Sequence, residues 1–367
     1  MIITGAVLDA TTTSRPFSDS RPLTITQLEL EPPGPGEVVV GITAAGLCHS
    51  DLSVITGDRP RPTPMLLGHE ASAVIVECGP GVLEFSSGQS VVMSFLPRCG
   101  TCSACLSPRG LPCVAGTLSN TAGTLLGGGR RISREGEPVN HHVGVSAFAD
   151  YAVVNVASLV AIDHDVPPEV AAVMGCAVLT GGGAVLNVAR PQPGESVAVV
   201  GLGGLGMAAV LTALAQDDVT VIGIDLSPER LERARDLGAH QTFTPNDALE
   251  KKVTAHYVIE AAGSARAFET AVSLTAVGGI TIAVGLPNPT DLATLSPLGL
   301  VAEGRTIIGS YMGSSDPHRD IPVFLDLWRE GKLPIESLIT SRISLAQMNE
   351  GMDHLADAQG IRQVMIP

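Results

Sequence analysis

Aromatic side chains are scarce in this 367-residue chain: one Trp, three Tyr and seven Phe, 3% of the sequence. So few anchors leave a small-molecule pocket hard to read from composition. Positive charge is also in short supply, with 22 Lys and Arg against 37 Asp and Glu and a net charge of -15. Phosphate backbones are bound by clustered Lys and Arg, so the balance argues against a nucleic-acid partner. It argues equally against an anionic membrane surface. Its plainest effect is solubility. No apolar run is read as reaching the roughly 18 residues of a bilayer span, so no membrane segment is expected. Met1–Ala10 carries Asp9 and lacks a basic stretch ahead of an apolar one, so no signal peptide is expected and a cytoplasmic address follows. Thiols stay reduced there, which makes clustered cysteines metal ligands before disulfides.

What is present is an ordinary globular composition, 45% hydrophobic and 16% charged, long enough for two domains. Residues 21–96 read as short β-runs, such as Glu37-Val-Val-Val-Gly-Ile and Ala73-Val-Ile-Val-Glu, broken by Gly and Pro. They predict an antiparallel β domain with long loops. Residues 114–147 lack periodicity and read as an extended surface segment. After about residue 178 strands alternate with helices, which predicts a doubly wound parallel sheet. The predicted strands are 196–201, 220–225, 255–260, 279–285 and 305–310. Helices are predicted at 206–215, 228–237, 321–330 and 343–355. No solenoid-length repeat is present.

Gly201-Leu-Gly-Gly-Leu-Gly206 fits the G-x-G-x-x-G pattern between a strand and a helix. Gly201 suits the tight turn, Gly203 the approach of a pyrophosphate, and Gly206 the packing of helix on strand. The helix N-terminus offers free N–H groups to that anion. Asp225 follows about 20 residues later at the next strand end, where an acid accepts from ribose hydroxyls and repels a 2′-phosphate. NAD is therefore expected over NADP, although Arg230 is a nearby cation of the kind that serves a 2′-phosphate.

Cys99, Cys102, Cys105 and Cys113 put four thiolates in one short loop. A closed tetrahedron of soft ligands suits a structural zinc. A [4Fe–4S] cluster uses the same ligand count, but the spacing and the rest of the chain favour zinc. Cys48, His69 and Cys176 are far apart in sequence, and singly each reads as an ordinary buried residue. Together they offer two Cys and one His with a fourth position open, a catalytic-zinc set. Cys78 is left as a buried thiol, and His141 and His142 read as structural.

With these motifs in view, the whole chain resembles the zinc-containing medium-chain alcohol dehydrogenases. The resemblance rests on Gly46-Leu-Cys-His-Ser-Asp51, Gly68-His-Glu70, the four-cysteine lobe, the glycine turn and Ile343–Met352. Asn140–Phe148 looks like the liver-type and class III branch, usually dimeric. The resemblance implies a GroES-like antiparallel β catalytic domain at 1–178, completed by 312–367, with the structural zinc lobe at 95–115. A Rossmann NAD-binding domain at 179–311 completes the α/β architecture. It also implies that Cys48, His69 and Cys176 hold a catalytic zinc, with Glu70 near the metal and Asp51 orienting His69. Ser50 matches the proton acceptor, His49 and Arg362 the pyrophosphate contacts, Thr180 a nicotinamide neighbour, and Phe95 a wall of the substrate pocket.

Two departures stand out. The relay histidine of the liver-type pattern is Ser53 here, and the acid and Arg of the glutathione-dependent formaldehyde dehydrogenases are Arg59 and Thr117. The expected activity is NAD-linked interconversion of an alcohol with its aldehyde or ketone, in a homodimer or tetramer with two zinc ions per chain. The alternatives are a non-enzymatic NAD-binding zinc protein and a thiol-adduct formaldehyde dehydrogenase. Arg59 fits a polar or anionic substrate, and equally well a solvated place on the surface.

Overall fold

Strand Glu37–Leu47, 11 residues long, organises the first half of the chain by pairing with three others. Its side chains alternate between two cores up to Ile42, and a register shift between Ile42 and Ala44 then resets the parity. Val38, Val40, Ile42, Ala45 and Leu47 enter the larger cluster with Phe17 and Phe148, whereas Val39 enters the smaller one with Leu28 and Leu66. Tyr151–Asn155 repeats the split, with Ala152 and Val154 on one side and Val153 on the other. A computed structural model describes residues 1–367, which divide into two units: Met1–Cys176 with Ile339–Pro367, and Ala177–Leu338.

In the first unit, Ile2–Leu8, Leu23–Leu30, Ile132–Arg134, Glu137–His141 and Met65–Leu66 close a small barrel. A seven-stranded sheet runs from Leu159–Ala161 through Ser90–Met93, Ala71–Cys78, Glu37–Leu47 and Arg362–Ile366 to Ile339–Ser344, with Tyr151–Asn155 as the seventh strand, off this path, paired with Glu37–Leu47. Pairing is antiparallel except for Met65–Leu66 with Glu137–His141 and Ile339–Ser344 with Arg362–Ile366. The segment 114–147 is not a surface extension: Val114–Ala122 is a helix, and Val139–Ala149 lies buried. Only local periodicity is missing there, because the segment folds in short pieces.

The second unit is a six-stranded, wholly parallel sheet in the order Gln241–Phe243, Thr220–Ile224, Ser196–Val200, Ala255–Glu260, Thr275–Ala283, Thr306–Gly309. Numbered within the sheet this is 3-2-1-4-5-6, with the strand order reversing beside Ser196–Val200, where doubly wound sheets bind dinucleotides. Ser227, Thr244, Ser264 and Ser296 cap the following helices by accepting a backbone N–H, and three of those helices begin with Pro.

Three expectations need correction. Residues 312–338 belong to the second unit, so the chain returns to the first at Ile339 and not at 312. The reason is packing: Ser315 Oγ donates to Leu179 O at 3.0 Å, and Phe324 lies under Gly182 of the helix Leu179–Gly183. Residues 343–355 are not one helix; Ile339–Ser344 is a strand, a 3₁₀ turn follows, and the helix is Met348–Ala356. Finally, Pro168–Ala189 is helical over 22 residues and contains an 18-residue window long and apolar enough to cross a membrane, yet 89% of that window is buried within the protein. Its burial is that of a core helix.

Candidate metal centres and dinucleotide loop

Leu47 ends the central strand, and Cys48, in extended conformation, is the N-cap of helix His49–Ile55. Asp51 closes a capping box there: its Oδ2 accepts the Cys48 N–H at 3.1 Å. The other oxygen, Oδ1, lies 3.0 Å from His69 Nδ1. Cys176 comes from a π-helical stretch, Met174–Val178, whose wide turn is a common feature of functional sites. The Sγ atoms of Cys48 and Cys176 and a ring nitrogen of His69 lie within 4.8 Å of one another. A tetrahedral zinc with bonds of about 2.0–2.3 Å needs ligand atoms about 3.3–3.8 Å apart, so the set is close to closing.

The chemistry of the donors fits as well. His69 is 3% exposed, its Nδ1 is committed to Asp51, and its Nε2 is buried without a hydrogen bond. Such a nitrogen is costly unless something coordinates it. The Cys48 thiol is held well below its ordinary pKa by the hydrogen bond from Cys176, against burial, with help from the Arg362 and His69 charges. Burial opposes protonation of His69, but Asp51 outweighs it and raises the pKa. Glu70 and Arg362 face each other beside the thiols, Oε1 to Nε 3.6 Å, and the guanidinium donates to Leu47 O at 2.8 Å. Arg362 is therefore a neighbour of this centre, which its resemblance-based role at a pyrophosphate does not reveal.

Around the centre, the half-buried Phe95 ring stands edge-on to His69, centroids 5.7 Å apart. Ser50 sits partly exposed in the first turn of the helix and His49 is exposed. Ser53 Oγ is tied to His49 O at 2.9 Å. Arg59 is half-buried, its N–H on Ser53 O, and Thr117 is exposed. His142, read from the sequence as structural, lies 3.4 Å from Asp51 Oδ1. No spacing rule links it to Asp51. Cys78 is half-buried, its thiol donating to Phe85 O at 3.5 Å.

The lobe gathers Cys99, Cys102, Cys105 and Cys113 within 4.8 Å, with Cys99 and Cys105 Sγ atoms 4.0 Å apart. Backbone N–H groups of Cys99 and Gly116 donate to Cys113 Sγ, and that of Cys105 to Cys102 Sγ. Amide donors favour thiolate: those of Thr101 and Cys102 bring Cys99 down to about 6. Burial and the neighbouring thiols push Cys105 up to about 12. The Arg98 guanidinium braces the loop through Leu111 O and Cys105 O. Four sulfurs with these spacings fit a closed tetrahedral metal.

In the second unit, Gly201 has φ +93°, and a Cβ there would lie 2.6 Å from Ala262 N, so the turn requires glycine. Gly206 packs directly on Gly201 O, while a Cβ on Gly203 would enter open space, the side a phosphate would approach. Asp225 accepts from Leu202 N at 2.6 Å and Ser227 N at 2.8 Å, so it also braces the glycine turn. Arg230 is half-buried in the first turn of Pro228–Asp236, and Thr180 is 5% exposed. Glu260, which the sequence reading passed over, is 2% exposed at the end of its strand and accepts from Ala262 N and Gly263 N. Burial raises its pKa. Its signal was an acid closing a parallel strand beside the switch point.

Residues 34–164 match the family model described as alcohol dehydrogenase GroES-like domain, and residues 204–330 that described as zinc-binding dehydrogenase. Among solved structures, the chain is similar to an alcohol dehydrogenase zinc-binding domain protein from Burkholderia ambifaria, 28% identical with a TM-score of 0.92, covering 100% of this chain and 99% of that one. It is similar to benzyl alcohol dehydrogenase from Acinetobacter calcoaceticus at 28% identity, TM-score 0.91 and the same coverage. A third is acetophenone reductase from Geotrichum candidum in complex with NAD, 26% identical, TM-score 0.80, covering 100% and 97%.

Proposed function

We take as premise that the chain belongs to the zinc-binding dehydrogenases of the alcohol dehydrogenase family, and propose that it interconverts an alcohol with its aldehyde or ketone using NAD. The observation that carries this is the buried His69 Nε2, turned by Asp51 toward the thiols of Cys48 and Cys176. A zinc ion held by these three residues supplies a Lewis acid that lowers a hydroxyl pKa, and NAD supplies the hydride acceptor. Asp51 fixes the imidazole tautomer and direction. Ser50, partly exposed in the adjoining helix turn, takes the hydroxyl proton. Ser53, its hydroxyl donating to His49 O, stands where the family's relay histidine would, and the proton leaves through water or another base.

Asp225 supports NAD over NADP, and the lobe sulfurs support a second, structural zinc. The proposal extends to a cytoplasmic address, where thiols stay reduced and open to metal. It extends also to a homodimer, by likeness to the branch that Asn140–Phe148 resembles. Benzyl alcohol and acetophenone, named for two of the similar structures, are the first substrates to try. The test is zinc content and NAD-linked turnover of aryl, primary and secondary alcohols in the wild type and in Cys48→Ala. Full turnover in a variant that has lost one zinc would sink the proposal.

A further inference from the structure

We infer that His142 is a positioning residue for the zinc centre: it pins the Asp51 carboxylate that aims His69. This rests on the zinc reading above. The His142 ring is 3% exposed, and its Nδ1 lies 3.4 Å from Asp51 Oδ1, the same oxygen that faces His69 Nδ1. That buried nitrogen makes no hydrogen bond of ordinary length, and Asp51 Oδ1 is the acceptor it faces. The ring stands edge-on to His69, centroids 5.6 Å apart and planes at 82°, so it backs the imidazole as well as its carboxylate.

The backbone that presents His142 is strained. Val143 has φ +45°, Gly144 +73° and Ser146 +53°. A β-branched residue in the left-handed region is a genuine outlier, and such strain persists only where the surroundings impose it. Three hydrogen bonds impose it here: His142 N donates to Ser146 Oγ at 2.9 Å, and the N–H groups of Val145 and Ser146 donate to His142 O. The turn therefore faces one specific ring toward a wholly buried carboxylate.

Asp51, 0% exposed, needs a donor for each lone pair it turns inward. Cys48 N–H serves one oxygen, and the imidazoles of His69 and His142 converge on the other. Without His142 the carboxylate can turn about its own axis, and His69 Nε2 loses its fixed direction toward Cys48 and Cys176. Outer partners of ligand histidines commonly govern metal affinity by about 10–100-fold.

The experiment compares zinc retention, by chelator competition, in the holoprotein and in His142→Asn and His142→Phe. Asn keeps an N–H donor, and Phe keeps the ring volume. Asn should hold the centre's zinc within about threefold of wild type, and Phe should lose it about 10–100-fold more readily while the four-cysteine metal stays. The cobalt-substituted spectrum of the centre should shift in Phe and not in Asn. Retention in Phe equal to wild type reduces His142 to packing and overturns the inference. Should Phe fail to fold, Ser146→Ala decides: it frees the His142 N–H and should weaken retention, and no change overturns the inference. A wild type that never binds this zinc defeats the functional reading instead, so the two failures are distinct.

Discussion

Glu70 Oε1 and Arg362 Nε stand 3.6 Å apart at 0% and 4% exposure, beside the thiols of Cys48 and Cys176. Antiparallel register Gln363↔Leu47 and Val364↔Gly46 delivers Arg362 to that spot, and Gly46 N donates to Glu70 O to set the carboxylate opposite. Burial opposes the guanidinium charge, but Glu70, Cys48 and Cys176 more than offset it and raise the pKa.

Removing only one partner of this pair leaves a buried charge. Arg362→Leu should therefore cost about 3–5 kcal/mol in urea unfolding. Arg362→Leu combined with Glu70→Gln should cost less than the sum of the two singles. Additivity within about 0.5 kcal/mol would show that the two side chains do not interact.

Asp51→Asn keeps shape and capping but removes the charge that fixes the His69 tautomer. The centre at Cys48, His69 and Cys176 should lose zinc about 10–100-fold more readily, and alcohol oxidation should fall with it. Chelator competition followed by metal analysis measures the loss, and retention at the wild-type level would contradict the role given to Asp51.

Asp225→Ser should raise the NADP-to-NAD ratio of kcat/KM by about tenfold or more, since it removes both the acceptor for ribose hydroxyls and the repulsion of a 2′-phosphate. NAD binding should weaken too, because the turn loses its ties at Leu202 N and Ser227 N. Steady-state kinetics with both cofactors decide this, and an unchanged ratio would remove Asp225 from cofactor choice.

Cys102→Ser should lower the metal content by one ion per chain and the thermal midpoint by several degrees, while the Cys48 centre keeps its zinc. The reason is that a structural site contributes folding free energy through a closed ligand set. Loss of activity with both metals retained would place the lobe in the chemistry instead.

His141 makes stability depend on acid pH. It is 0% exposed, its Nε2 accepts the Arg131 N–H at 3.0 Å, and burial, with Arg130 and Arg131, brings its pKa down to about 3. The unfolded chain takes up that proton below about 6.5 and the native chain does not, so unfolding free energy rises with pH in between. This contribution is complete above about pH 6.5 and is lost toward pH 3 at about 1.4 kcal/mol per pH unit. His141→Gln keeps an acceptor without titrating, so urea unfolding between pH 4.5 and 7 should show a flatter acid limb. Equal slopes in the two proteins would exclude His141 as the source.

Read as sequence alone, the chain already specifies what one turn or one short loop can hold. The left-handed turn at Gly201 and the packing of Gly206 on Gly201 O answer to local sterics, and Cys99 to Cys113 are tethered so closely that their spacing limits what they can bind. The faces of Glu37–Leu47 are not of this kind: a register shift between Ile42 and Ala44 switches the parity, so that Ala45 and Leu47 join Val38, Val40 and Ile42 in one core. Other relationships exist only once distant segments pack: Arg362 beside Glu70, His142 beside Asp51, and the return at Ile339 each join parts of the chain far apart in sequence. No spacing encodes them, because the intervening chain is free to vary in length while the sheet keeps its partners. The wide turn at Cys176 and the left-handed Val143 are likewise invisible to periodicity, since each departs from the regular geometry that periodicity measures. Local sterics chose the motifs, and long-range packing decided which side chains meet.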